Sequence, residues 1–412
     1  MSLSEITDSS SQINILIGEN GQGKTRLLDN IALQFKGNRT NLITINNPRG
    51  KNLVKRSSKF LVPNHRVNDL NSVVYKLLKQ TFNLIENNKY DEVESKFFKI
   101  ARMLEYLGFE STIFFSVKDD LLEKDFLSGD TFDGDYDESY VVSSLLDYLD
   151  IQEDEAGNKY ICIDFIEDIY GEIENSIKFL YLIKYYWGEN IETHLISKKT
   201  RLILKFNQLS SGERNIILTI FFISISLSDT KKNILIIDEP EISLHPRWQI
   251  DYLENISDLF YLYDIKIYIA THSPLLLTNL FFDKEKKISL SYTIFHVKNS
   301  NIKIIQDENE KSIEAIYWNI FGILTPQSSF LSRKITELLN KLTLDEISLE
   351  LVISELDIYI EASHDFNQVS WLKELKEQII ANSKKLQRGA NSNMRCDSFK
   401  SHMIINKLSK FL

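Results

Sequence analysis

The chain has 412 residues, 43% hydrophobic and 26% charged, enough to bury a core across two or three domains and too apolar for a disordered or collagen-like class. Its two cysteines, Cys162 and Cys396, stand far apart with no CxxC spacing, which excludes a disulfide framework and a four-thiolate zinc site and suits a reducing, cytoplasmic setting. Ile216–Leu227 is too short and serine-broken to span a bilayer, and Met1–Gln12 lacks a charged-then-apolar leader, so a soluble chain with no membrane segment is expected.

The formal charge of −10 is local. Lys118–Gly157 holds 14 acidic and 2 basic residues, a balance of −12 that leaves +2 on the rest of the chain. Residues 381–412 carry 7 Lys or Arg against one Asp, a +6 tail that reads either as a solvated helix or as a patch for phosphate or an acidic protein face.

In chain order, Ile13–Ile17 is a continuous apolar run expected as a buried strand, followed by a glycine-rich turn and helical spacing over Thr25–Phe35. A second strand is expected at Asn41–Ile45, then a basic stretch from Arg49 to Arg66. Helical spacing covers Val67–Leu107, an acidic segment with Ser128-Gly129-Asp130 and Asp133-Gly134-Asp135 turns interrupts it, and Tyr160–Trp187 resumes a helical pattern. From Lys205 onward strands and helices alternate. Helices are expected at Asn215–Leu227, His245–Tyr261 and Pro274–Leu280, and strands at Asn233–Ile237, Ile265–Ala270, Ser289–Val297 and Asn301–Ile305. Continuous Ile and Leu runs are the mark of parallel strands buried on both faces. The pattern after Ser312 is helical. The expected fold is α/β, with a nucleotide-binding lobe split between residues 1–66 and 201–311, a mainly helical insertion at 67–200, and a helical C-terminal region at 312–412.

Gly18-Glu19-Asn20-Gly21-Gln22-Gly23-Lys24-Thr25 fits GxxxxGK[ST] between an expected strand and helix, the context of a phosphate loop. Such a loop wraps phosphates with backbone N–H groups; Lys24 would reach the β and γ phosphates and the Thr25 hydroxyl would hold Mg²⁺, with Arg26 next in line. Ile234–Ile237 ends in Asp238-Glu239, a Walker B pattern at the carboxyl end of a strand. There Asp238 would serve Mg²⁺ and Glu239 would orient the attacking water.

Leu209-Ser210-Ser211-Gly212-Glu213 stands before a long helix, Asp238-Glu239-Pro240-Glu241-Ile242-Ser243-Leu244-His245-Pro246 extends the Walker B strand, and Ala270-Thr271-His272-Ser273-Pro274 ends the next one. Together with the phosphate loop these resemble the signature, D-loop and switch histidine of ABC-type ATPases of the SMC, RecF and OLD-like branch. The resemblance implies an ABC-type P-loop fold binding ATP and Mg²⁺ in a head-to-tail dimer. Ser210, Ser211, Gly212 and Glu213 would meet the nucleotide of the partner, Ser243, Leu244 and His245 would couple the two sites, and His272 would sense the γ-phosphate. Family members usually begin with two or three strands before the phosphate loop, whereas here residues 1–12 precede Ile13, so that part of the lobe is expected to be reduced. No Q-loop glutamine or adenine-stacking aromatic is assignable.

Between Lys24 and Ser210 lie 185 residues without a long heptad repeat. Asp133–Glu138 is no EF-hand, because Glu138 and Ser144 stand where Gly and Glu are needed. No DxD follows Ser300, and His364 and His402 stand alone, so a built-in nuclease is not expected. The combination resembles the PtuA-like ATPase subunits of Septu and retron-associated anti-phage systems, which work with a separate HNH nuclease and, in retron operons, alongside RNA or DNA. It implies a slow regulatory ATPase. A RecF-like repair ATPase binding DNA directly is the alternative, and the motor subunit of a membrane transporter a more distant one.

Overall fold

The computed structural model describes residues 3–36, 39–45, 59–61, 68–117, 122, 142, 144–166, 171–187, 191–228, 230–242, 244–261, 263–282, 290–299, 301–305, 313–326 and 328–389. Most of the basic stretch 49–66 and of the acidic segment 118–157, and the tail beyond 389, lie outside these residues, as does Ser243.

The chain opens with α1 (Leu3–Thr7), β1 (Ile13–Ile17), α2 (Lys24–Gln34), β2 (Thr40–Ile45) and β3 (Lys59–Leu61). An insertion follows, comprising α3 (Asn68–Glu86), α4 (Tyr90–Tyr106), β4 (Phe109–Ser116), β5 (Ile151–Glu153), β6 (Lys159–Asp164), α5 (Glu172–Trp187), β7 (Glu192–Ser197) and β8 (Ile203–Lys205). The chain then returns through α6 (Ser211–Ser226), β9 (Lys232–Asp238), α7 (Pro246–Phe260), β10 (Ile265–Thr271), α8 (Thr278–Phe282), β11 (Tyr292–Lys298) and β12 (Asn301–Ile304). Among the described residues the helices α9 (Ile313–Phe321), α10 (Ser329–Thr343), α11 (Leu349–Ala362) and α12 (Phe366–Gly389) follow.

The central sheet runs β12-β11-β1-β10-β9-β2-β3, parallel except for the edge strand β12. All five residues of β1 and all seven of β10 are buried, as parallel strands covered on both faces require. Alternate residues serve different cores. Ile13, Ile15, Ile17, Leu235 and Ile237 join α6 and the insertion, whereas Leu16, Ile234 and Ile236 meet Leu28 and Ile31 of α2. Helices α2 and α6 therefore lie on opposite faces of one sheet. Sandwiched between that sheet and helices α3 and α4, α6 is apolar all round, with buried residues on every side.

The expected strands of the lobe are present, and the side of β1 away from β10 is covered by β11 and β12. The insertion departs from expectation: beside helices α3, α4 and α5 its described residues hold a five-stranded antiparallel sheet, β5-β6-β4-β7-β8. The helical reading of Tyr160–Trp187 is corrected to strand β6 followed by α5. The cause is that β6 is buried on both faces, with Tyr160 and Cys162 against Phe114 on one and Ile161 and Ile163 in the main core on the other. Such a run carries no alternation, and periodicity alone does not distinguish it from a buried helix turn.

The C-terminal helices form a separate core around Phe330, Leu331, Leu356, Tyr359, Leu372 and Leu375, as the helical pattern after Ser312 implies. No described helix is long and apolar enough to cross a membrane.

At the amino ends of β2 and β9, Asn233 is fully buried. Its Oδ1 accepts from Asn41 Nδ2 at 2.7 Å and Ser228 N at 2.9 Å, and its Nδ2 donates to the carbonyls of Ser228 at 2.9 Å and Asp264 at 3.3 Å. Asn233→Ala leaves those groups unpaired, and the expected loss is about 1–3 kcal/mol of unfolding free energy, read from urea midpoints at unchanged slope. A loss below about 0.5 kcal/mol would show that the cluster holds nothing together.

Candidate nucleotide-binding site

The carboxyl ends of β1, β9 and β10 finish side by side, with Ile17 opposite Thr271 and Ala270 opposite Asp238. Each motif leaves one of these strand ends, so the register itself gathers the phosphate loop, the Walker B acids and His272 on one edge of the sheet, where ligands of parallel sheets bind.

The phosphate loop needs its glycines for specific reasons. A Cβ on Gly18 would lie 2.3 Å from the Val297 carbonyl oxygen at the end of β11, too close for any side chain. Gly21 and Gly23 adopt φ of 80° and 97°, and Gly23 caps α2 from that left-handed conformation. Glu19, Asn20 and Gly21 form the exposed rim, Gln22 accepts from Asn299 N at 2.6 Å, and Arg26 is exposed on the first turn of α2.

Lys24 is buried and folds back to donate to the carbonyls of Gly18 and Glu19, both at 2.8 Å. Burial lowers its pKa; Glu239, Glu241 and Asp238 oppose the shift. At the next residue, the Thr25 hydroxyl donates to the Asp238 carboxylate, at 3.0 Å to Oδ2 and 3.2 Å to Oδ1. Burial pushes the Asp238 carboxyl up from its ordinary 3.8 to about 6, with Glu239 and Glu241 adding to the effect and Thr25 and Lys24 resisting it.

Beyond Asp238 the chain turns sharply. Glu239 takes φ 51°, a left-handed conformation that a non-glycine residue holds only under local constraint, and its N–H donates to Ala270 O at 2.8 Å. The Glu239 carboxylate is partly exposed and lies 3.4 Å from His272 Nδ1. Glu241 is 5% exposed; its Oε1 accepts from Thr271 Oγ1 and from His272 N, each at 2.8 Å, and stands 3.0 Å from His272 Nδ1. The sequence motif assigns Glu241 no role; its place two residues after Asp238-Glu239 is the signal that marks it.

The signature residues form a helix start. Ser210 Oγ accepts from Glu213 N at 3.2 Å and Glu213 Oε2 accepts from Ser210 N at 2.8 Å, a reciprocal capping box at the amino end of α6, with Gly212 buried. Asn215 Nδ2 reaches Ile242 O at 3.2 Å. In the D-loop, Leu244 is buried, and the exposed His245 caps α7 by accepting from Arg247 N. Thus Lys24, Thr25, Asp238, Glu239 and His272 are brought together, while Ser210–Glu213 head a helix on the other face of the sheet.

The donor set fits a hydrated Mg²⁺. That ion is held by one or two protein oxygens plus phosphates and water rather than by a full protein cage, which is what the Thr25 hydroxyl and Asp238 carboxylate offer. Among the described residues no group of three or more His, Cys, Asp or Glu is arranged to hold a metal alone.

Residues 130–277 match the AAA ATPase domain family, a span that includes the signature, Asp238, Glu239 and His272 but begins after the phosphate loop. The match supports an ATPase of this general type. No curated protein matches the chain. Among solved structures, one described as a metal-chelate type ABC transporter in an inward-facing conformation is 13% identical, with 76% of this chain and 79% of that chain covered and a TM-score of 0.28. An Smc head domain of Pyrococcus furiosus, bound to the C-terminal domain of ScpA, is 10% identical with 68% and 64% covered and a TM-score of 0.23. An SmcHead bound to the C-winged helix domain of ScpA is 11% identical with 29% and 32% covered at 0.20. Overlaps this loose carry nothing about substrate or partner.

A carboxyl held up near 6 in the fold and near 3.8 when unfolded binds its proton more tightly in the native state. Its stabilising contribution is full below pH 3.8 and is lost as pH rises through about 6. Asp238→Asn keeps an acceptor for Thr25 without the buried charge. In the absence of nucleotide this variant is expected to melt higher than the wild type at pH 7.5, with the advantage shrinking toward pH 4.5. Equal melting temperatures at both pH values would refute the buried-charge account.

Proposed function

We propose that the chain is an ABC-type ATPase that binds and slowly hydrolyses ATP, closing on it as a head-to-tail dimer, and that this closure regulates a separate effector nuclease in anti-phage defence. The observation that carries the ATPase reading is the convergence of Lys24, Thr25, Asp238, Glu239 and His272 at adjacent strand ends.

The roles follow from that geometry. Lys24, already turned along the phosphate loop, exchanges its two carbonyl acceptors for phosphate oxygens when nucleotide enters. The N–H groups at the start of α2 and the helix dipole stabilise the anion. Thr25 and Asp238 hold Mg²⁺, which supplies charge neutralisation on the phosphates. The partly exposed Glu239 accepts a hydrogen bond from the attacking water and orients it, and His272, at the end of β10, donates to the γ-phosphate.

Dimerisation is supported by the opposite placement of α2 and α6: their amino ends head different faces of one sheet, so the signature of one chain is suited to a nucleotide held by another. Ser210 offers its hydroxyl and the start of α6 its N–H groups to that partner nucleotide. Because the interface then includes the γ-phosphate, ATP shifts the population toward the closed pair and hydrolysis releases it.

The effector assignment rests on the resemblance to Septu and retron-associated ATPase subunits, with the separately cored helices α9–α12 as the docking region for an HNH-type nuclease. Nucleic acid or a retron RNA or DNA would then meet the assembly through that partner.

Glu239→Gln is expected to bind Mg-ATP with wild-type affinity, to lose turnover by about a hundredfold or more, and to run as a dimer in light-scattering chromatography only with ATP present. Unchanged turnover in that variant would remove the role given to Glu239. Pulling down tagged Glu239→Gln from its native host with Mg-ATP is expected to recover a small nuclease. Recovery of DNA alone, lost on raising salt, would favour the repair reading instead.

A further inference from the structure

Glu241 has no part in the hydrolytic scheme above, yet it is buried nearly as deeply as Asp238. At 5% exposure it sits deeper than the partly exposed Glu239, and a carboxylate is rarely buried so far without structural or functional reason. Its Oε1 accepts two hydrogen bonds at 2.8 Å from consecutive residues, the Thr271 hydroxyl and the His272 backbone N–H, while Oε2 is buried without a hydrogen-bond partner. The same Oε1 lies 3.0 Å from His272 Nδ1. The main chain of His272 is thus hydrogen-bonded to this carboxylate oxygen, and its ring nitrogen Nδ1, buried without a hydrogen-bond partner, lies close beside the same atom.

Glu241 also faces the other way along the chain. Its carbonyl accepts from Leu244 N at 3.0 Å and from Gln249 Nε2 at 3.5 Å, and Gln249 Nε2 donates to Leu244 O at 3.0 Å. Gln249 Oε1 in turn accepts from Ser273 Oγ at 2.7 Å. Two residues, Glu241 and Gln249, therefore link the segment Thr271–Ser273 at the end of β10 to Leu244, which opens into α7.

We propose that Glu241 is a positioning residue for His272: it fixes the backbone of the histidine against the D-loop turn and bounds the Nδ1 edge of its ring, so that His272 meets a γ-phosphate in one orientation. This rests on the ATPase reading and adds to it the group through which the histidine acts. Nδ1 is buried beside Glu241 and Glu239 while the His272 side chain as a whole is 35% exposed, which leaves the Nε2 edge of the ring for a phosphate oxygen. A carboxylate that needs no proton transfer of its own serves this purpose through acceptance and shape, so the amide of glutamine can replace it.

The test uses the full chain as wild type, Glu241→Ala, Glu241→Gln, His272→Ala and the double variant Glu241→Ala/His272→Ala. With nucleotide absent, hydrogen exchange of peptides covering residues 270–277 reads the contact directly. Exchange in Glu241→Ala is expected to rise about tenfold or more and in Glu241→Gln to stay near wild type. Unchanged exchange in Glu241→Ala overturns the proposal whether or not the chain hydrolyses ATP.

With ATP, kcat is expected to fall about tenfold or more in Glu241→Ala at little change in KM, to recover in Glu241→Gln, and to show no further fall when Glu241→Ala is added to His272→Ala. Equal losses in the presence and absence of His272 would mean that Glu241 acts independently, and the proposal fails. Absent turnover in the wild type together with raised exchange in Glu241→Ala removes the ATPase reading while the positioning contact stands.

Discussion

The buried contact between the Thr25 hydroxyl and the Asp238 carboxylate is the constraint on which the rest of the site depends. It joins residues far apart in sequence, and it forms only where β1 and β9 flank β10 in register. A carboxyl in that position is costly to ionise, with its pKa raised to about 6, and the surroundings are arranged around that cost. Thr25 donates to it, Lys24 lies close enough to lower its pKa, and the neighbouring Glu239 and Glu241 make the charge harder to bear. Three carboxylates, of Glu239, Glu241 and Asp238, thus act on one buried lysine.

The same constraint explains the local irregularities. Glu239 must turn away from Asp238 within one residue to keep its carboxylate toward solvent, and it does so at φ 51°, anchored by its N–H to Ala270. Gly18 must pass the β11 backbone at a distance no side chain tolerates, because β11 takes the place beside β1. Glu239 and Gly18 thus each stand where a motif leaves the sheet.

The insertion is connected to the lobe by packing and by specific polar contacts. Phe97 and Phe165 stack edge to face, and Phe165 meets Phe221 of α6 in the same way, so the five-stranded sheet shares a core with the signature helix. Tyr106 at the end of α4 donates to Asp251 of α7 at 2.9 Å, and Asn279 of α8 donates to the same carboxylate. These contacts tie the insertion and α8 to one carboxylate on α7.

The motif residues and the strands that carry them were legible because each pairs a composition with a fixed spacing. Ile13–Ile17 before Gly18–Thr25 admits one reading, and the apolar run before Asp238-Glu239 another. The antiparallel sheet of the insertion was not legible: β6 is apolar on both faces, and of the two strands that flank it in the sheet β5 is near in sequence while β4 lies more than forty residues before it. The role of Glu241 was likewise hidden, since nothing in the order Asp238-Glu239-Pro240-Glu241 says which acid is exposed and which is buried.

By itself the sequence determined the phosphate loop, the Walker B acids and the alternation of strand and helix, because these depend on local backbone freedom, helix starts and side-chain periodicity. Only the tertiary structure decided that Asp238 carries its charge in a buried place, that Glu241 rather than Glu239 holds the backbone of His272, and that the phosphate loop and signature helix stand on opposite faces of the sheet. Those facts follow from strand order and register, which bring residues together across the chain and are written in no single stretch of it.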